Sequence, residues 1–302
     1  VPAPAPLPGH RRIVRAASII GIRVDDGHVI PAAAVAGLMR DAGLPTVEAL
    51  MLAMLPQAQA LARPVISGFR VGAVGRDCRS GALILGANVE FQAAPASDTI
   101  HAEQFLFARA HHRGASLDLI AVSARPCGHC RQFMAEFAGR DRLAILDPAG
   151  GRLTLAEMLP WSFTPADLGE TGITASPGPP LAVRDDGSIP PALRAELEAA
   201  GGRAYTPYSR CPSAVALELD DGAILSGAAI ENAAYNPGLP PLQAALINLI
   251  AAGRDYQAIR RAVFGSEAGG SVDHASSTRR LLGSLAPEAR FDHLNWLPAP
   301  ST

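Results

Sequence analysis

The sequence predicts an α/β protein of two three-layer α/β/α modules with mixed sheets, preceded by a small helical N-terminal segment. Three observations carry this reading. Short apolar runs bounded by Gly-bearing turns alternate with helical patterns from residue 65 to about 163. A Pro- and Gly-rich stretch, with SPGPP and DDGSIPP, then interrupts the pattern. Beyond it the first pattern returns, about 141 residues downstream. The expected division is a disordered leader at 1–16, a helical segment at 17–64, a chemically equipped module at 65–163, a linker at 164–190 and a degenerate module at 191–302.

Taken in order, residues 1–16 are Pro-rich and lack an apolar stretch long enough for a secretory signal. Helical patterns follow at Pro31–Ala42 and Pro45–Ala62; the second carries Leu50, Met51, Met54 and Leu55 as a core stripe and is interrupted by Pro56. Phe69–Val74 and Gly81–Leu85, around a polar turn from Asp77 to Ser80, read as a β-hairpin. A helix is expected over 101–112, capped by Asp98 or Thr99. A strand at Leu117–Ser123, a helix at Gly128–Phe137 and a strand at Leu143–Asp147 complete the module, and Pro191–Ala200 reads as a short helix opening the next. At a constant offset of 141, Ala73-Val74 falls on Ala214-Val215, Gly86-Ala87 on Gly227-Ala228, Glu90 on Glu231, His101 on Leu242 and Glu103 on Ala244. The second module therefore has neither the imidazole nor the carboxylate, and no cysteine follows Cys211.

Composition narrows the function. The chain has 302 residues, a net charge of −2 and no lysine. A polynucleotide-binding face normally shows as a basic stripe, and none is present. No apolar run approaches the ~20 residues of a membrane span. Four cysteines do not make a disulfide scaffold in a chain of this length, and a reducing, cytoplasmic setting is expected.

The chemistry concentrates in His101-Ala102-Glu103 and Pro126-Cys127-Gly128-His129-Cys130. One imidazole and two thiols form a three-ligand zinc site with an open position, the arrangement of catalytic zinc. Both fragments start helical patterns, where backbone N–H groups and the positive dipole end favour thiolates. Glu103, two residues from His101, is placed to move protons. The competing reading is a structural zinc site completed by His129, which as the immediate neighbour of Cys130 is poorly placed to share a tetrahedron. Asn88 and Glu90, two apart in extended chain, share one face. They either satisfy their own loop or hydrogen-bond sugar hydroxyls, with Phe69 as an apolar wall. Arg131 and Gln132 are read as ties between helix and loop.

H-x-E followed by P-C-x-x-C is the signature of zinc nucleoside and nucleobase deaminases. With FRVGAV, GANVEF, HAEQ and PCGHCRQFM, and TPYSRCPSAVAL and AAYNPGLPPLQAAL in the second half, the chain resembles the two-module homodimeric cytidine deaminases over roughly residues 40–295. The resemblance implies hydrolytic deamination of cytidine and 2′-deoxycytidine in pyrimidine salvage, with one Zn2+ per chain. It assigns His101, Cys127 and Cys130 to zinc, Glu103 to proton transfer, Asn88 and Glu90 to ribose, and Phe69 to the pyrimidine. WSFTPADL resembles the segment whose Phe closes over the partner's pyrimidine, which points to Phe163. Arg125, before Pro126, departs from the small or hydroxyl residue usual in that family. The alternatives are a polynucleotide-editing deaminase and a non-catalytic zinc-containing nucleoside-binding protein. Activity on single strands would mark the first, and indifference to loss of Glu103 the second.

Overall fold

The computed structural model describes residues 28–149, 151–184 and 187–297, so the leader read at 1–16 lies outside the described residues. The chain divides between Ala175 and Ser176 into two compact units, a point within the stretch read as linker. Both ends of that stretch are packed. Ile173 pairs with Phe137 in the first unit, and Val183 with Trp296 in the second.

The first unit opens with β1 (Val29–Ile30) and the helices α1 (Ala32–Ala42), α2 (Val47–Ala53) and α3 (Leu55–Ala60). The expected single helix over Pro45–Ala62 is two helices broken at Met54, with Pro56 in the first turn of α3, where a missing N–H costs little. Then come β2 (Gly72–Asp77), β3 (Leu83–Ala87), α4 (Ala102–His112), β4 (Leu117–Val122), α5 (Gly128–Met134), β5 (Ala144–Leu146), β6 (Arg152–Thr154) and α6 (Leu155–Met158). The sheet order is β1-β3-β2-β4-β5-β6, antiparallel except for the parallel pair β4–β5.

Strand alternation sorts the two faces. Val74, Leu83, Leu85, Leu119 and Ala121 meet Leu38, Leu50, Met51 and Met54 of α1–α3 in one buried cluster. On the opposite face Gly75 and Gly86 lie against α4, whose residues from Ala102 to Ala110 are all buried. Gly86 allows the closest approach. A Cβ there would stand 2.8 Å from both the Ala102 carbonyl oxygen and the Leu106 nitrogen, so only glycine lets the first turn of α4 rest on β3.

The second unit repeats the plan with α7 (Pro191–Gly201), β7 (Ser213–Leu219), β8 (Ile224–Ala228), α8 (Pro241–Ala251), β9 (Ile259–Ser266), α9 (Ala275–Leu285) and β10 (Arg290–Asn295). Its sheet order is β10-β9-β7-β8, with β9–β10 parallel. Helix α7 covers one face through Leu193 and Leu197, and α8 is buried along its length.

Pairing registers correct the constant offset. Val74 pairs with Leu85 in the first unit, and Ala216 with Ser226 in the second. The first strands therefore correspond at 142 and the second strands at 141, because the hairpin turn is one residue shorter. Val89 pairs with Ile100 and Ile230 with Leu239, so the helices that follow correspond at 139. His101 thus corresponds to Pro240 and Glu103 to Leu242, in place of Leu242 and Ala244. The conclusion about the ligands holds, since neither proline nor leucine binds metal. Among the described residues no helix is long and apolar enough to cross a membrane.

Candidate metal centre

Two helix starts build the site. Ile100 exchanges both backbone hydrogen bonds with Val89, at 2.9 and 2.8 Å, which pins the entry of α4 to the exit of β3. The next residue, His101, is itself the N-cap, with extended backbone at φ −81° and ψ 157°. This replaces the expected Asp98 or Thr99 cap: Asp98 lies in a separate 3-10 turn. The Gln104 side-chain oxygen accepts from the His101 N–H at 3.1 Å, fixing the backbone that carries the imidazole. Sequence reasoning missed Gln104 in this role, although Gln three residues after a cap is a known helix-start signal.

Across from it Cys127 is the N-cap of α5, and Cys130 lies one turn on, 1% exposed. The parallel β4–β5 connection, with α5 as its crossover, brings this helix start beside that of α4. Arg131 donates to the carbonyls of Pro126 and Met158, and Gln132 to that of Phe163 at 2.7 Å, so both tie helix to loop as expected.

The three candidate ligands converge. His101 Nδ1 lies 3.2 Å from Cys130 Sγ and 3.5 Å from Cys127 Sγ, and the two sulfurs are 3.6 Å apart. Tetrahedral zinc with Zn–S of about 2.3 Å and Zn–N of about 2.0–2.1 Å requires S–S and N–S edges of about 3.8 and about 3.6 Å. The triangle fits one Zn2+ with small adjustments. Among the described residues this is the one group of three or more such side chains arranged to hold a metal. His129 stands outside it, its ring centroid 5.5 Å from that of His101.

Glu103 is 4% exposed, with Oε2 3.2 Å from Cys130 Sγ. Burial pushes its carboxyl above the usual range. The close contact with Cys130 Sγ holds Cys127 down at about 4, helped by the backbone N–H groups of Cys130 and His129. The same contact, with burial, pushes Cys130 up.

The other expected residues lie in the segment after β3, whose Val89 pairs with Ile100, and in the 66–71 loop bonded to it. Asn88 is buried, its oxygen accepting from Val71 N–H at 2.8 Å and its amide donating to the Phe69 carbonyl at 2.9 Å. Glu90 Oε2 accepts from the N–H groups of Ile66 and Ser67, both at 2.8 Å, and Oε1 from the Ser67 hydroxyl at 2.5 Å. Ser67 had no signal in the sequence. These bonds shape the 66–71 loop and leave Phe69 59% exposed. Phe163 is also exposed, near the exposed Trp161. The structure therefore gathers His101, Glu103, Cys127 and Cys130 into one cluster, and joins Asn88 and Glu90, after β3, to the 66–71 loop that carries Phe69. Gln132 ties the backbone of Phe163 to α5 while its ring faces solvent.

Comparison with known proteins finds two matches along the chain. Residues 46–145 and 155–279 each match a family model described as the cytidine and deoxycytidylate deaminase zinc-binding region. The chain is 43% identical to a cytidine deaminase of Serratia proteamaculans over 243 residues, covering 79% of this chain and 80% of that one. It is 46% identical to one of Yersinia pestis over 220 residues, 72% of each chain. A Vibrio atlanticus relative is 38% identical over 261 residues, 86% of each.

Proposed function

Because this chain belongs to the cytidine deaminase family and is a zinc-dependent enzyme that deaminates cytidine, we propose how its own residues divide that work. His101, Cys127 and Cys130 would hold the metal, with Glu103 beside them. Bound there, zinc supplies Lewis acidity that brings the pKa of water to about 7. Glu103 takes the first proton that water gives up, holds it on a carboxyl whose burial favours the neutral form, and delivers it to the ring nitrogen. It then takes the second proton, from the hydroxyl added to the ring carbon, and delivers it to the amine, which leaves as ammonia while the carbon keeps the oxygen as a carbonyl. The metal-ligand triangle with the Glu103 oxygen 3.2 Å from Cys130 Sγ is the observation that supports this reading.

Asn88 and Glu90 receive the ribose. Their bonds to the 66–71 loop are compatible with that task, because carboxylate and amide oxygens each accept more than one hydrogen bond. Phe69 packs against the pyrimidine. Phe163 closes over the site of a second copy in a homodimer, and the enzyme serves pyrimidine salvage in the cytoplasm, accepting 2′-deoxycytidine as well. A net charge of −2 argues against a polynucleotide substrate.

Following cytidine absorbance on purified protein, before and after zinc removal and re-addition, tests the assignment. Turnover should vanish with the metal and return with it, one zinc per chain. Full activity without zinc would refute the ligand set.

A further inference from the structure

The second unit has a cavity of about 240 Å³ against Pro240 and His274, the counterparts of His101 and Cys127. Its walls include the counterparts of Asn88, Glu90, His101 and Cys127, namely Ala229, Glu231, Pro240 and His274. Glu231 corresponds to Glu90 and Pro240 to His101, as the pairing registers require. His274 is the N-cap of the helix after β9, as Cys127 is of the helix after β4. Ser277 then stands one turn into α9, where Cys130 stands in α5. The metal donors have gone, yet the cavity has not closed over.

Its remaining chemistry is specific. Glu231 Oε2 accepts from the N–H groups of Tyr208 and Ser209 at 3.0 and 3.1 Å, the same loop bonds that Glu90 takes from Ile66 and Ser67. One difference stands out. The Ser67 hydroxyl occupies Oε1 of Glu90, whereas among the described residues no hydrogen bond reaches Oε1 of Glu231. The carboxylate is thus anchored at one oxygen and open at the other. His274, kept towards its neutral form by burial against the pull of Glu231 and Asp273, offers a ring with one donor and one acceptor nitrogen. Leu239, Pro240 and Val272 supply apolar wall. The volume is below the roughly 300–1,000 Å³ of drug-sized sites, and suits a five-membered polyhydroxylated ring.

We propose that this pocket is a second, non-catalytic nucleoside site, taking sugar hydroxyls on Glu231 and His274. The proposal rests on the reading of Glu90 as the ribose acceptor in the first unit. With Leu242 in place of Glu103 and no metal ligands, the bound nucleoside is not turned over.

Uridine is the suitable probe, because it is the reaction's product and is not consumed. Equilibrium dialysis of uridine against the zinc-loaded full chain should give two molecules per chain. Glu231→Gln should reduce this to one. Val272→Trp, which fills the mouth and leaves the carboxylate in place, should do the same, with unchanged thermal unfolding in both cases. One uridine per chain in the unaltered protein, or two in both variants, overturns the proposal. Cytidine turnover measured on the same preparations separates the two readings. An active enzyme that binds one uridine loses only the second site, whereas a zinc-loaded protein without turnover loses the assignment of the first.

Discussion

Gly86→Ala is the substitution that most directly links the fold to the chemistry. The added Cβ would lie 2.8 Å from the Ala102 carbonyl oxygen and from the Leu106 nitrogen, where ordinary contact starts at 3.4 Å. Helix α4 must retreat by the difference, about 0.6 Å. Overpacking of this kind costs about 1–3 kcal/mol, and the stiffer unfolded chain returns about 0.4–1 kcal/mol. A net loss of about 1–2 kcal/mol corresponds to a fall of roughly 3–6 °C in Tm for a unit of this size. The same retreat moves His101, the helix cap, against Cys127 and Cys130. Since a misplacement of about 1 Å can cost on the order of a hundredfold in rate, turnover should drop about tenfold. Gly227→Ala provides the control. Its Cβ would meet the Ala245 nitrogen at 2.0 Å, so it should destabilise more, yet zinc content in the folded fraction should stay at one per chain. Thermal unfolding, zinc analysis and cytidine turnover on both variants decide the matter. A Gly86→Ala protein with unchanged Tm and rate would refute the close-packing argument.

Three further outcomes are expected. Glu103→Gln should keep zinc and lose about 10²–10⁴-fold in kcat; retained turnover would remove Glu103 from proton transfer. Asn88→Ala strips the Val71 N–H and the Phe69 carbonyl of their partner, and should cost about 1–3 kcal/mol in denaturant unfolding, with a raised KM. Asp77, although burial opposes its charge, is held below the ordinary carboxylate range by hydrogen bonds from Ser80, Ser116 and Arg79. Its contribution is therefore present above pH about 3.9 and lost as pH falls through the lower folded value. Asp77→Asn should flatten the acid limb of a stability–pH curve; an identical limb would exclude Asp77 as its source.

The metal centre was legible because few side chains bind zinc and their spacing is local: His101 with Glu103, and Cys127 with Cys130. The hairpin and the buried strands were legible from apolar runs around Gly-bearing turns. What escaped has physical causes. β1 has two residues and β6 three, too short for any alternation to register. The cap of α4 was misplaced because histidine is not a usual cap, and here a candidate ligand took that place. The bonds from Ser67 and Ile66 to Glu90 cross more than twenty residues, so no local pattern announces them. A constant offset between halves could not follow length changes hidden in turns.

Those length changes have a practical reading. The correspondence shifts from 142 to 141 inside the hairpin turn, and to 139 in the loop before the following helix, while no strand pairing or helix start is disturbed. The two halves thus act as a natural record of where this architecture accepts insertions and deletions. The turn from Cys78 to Gly81 accepts a change of length at a cost of only about 0.6 kcal/mol per doubling, and a graft there must spare Arg79 and Ser80, which donate to Asp77. The 91–99 loop is the less suitable of the two, since whatever is grafted there hangs beside the helix start that carries His101.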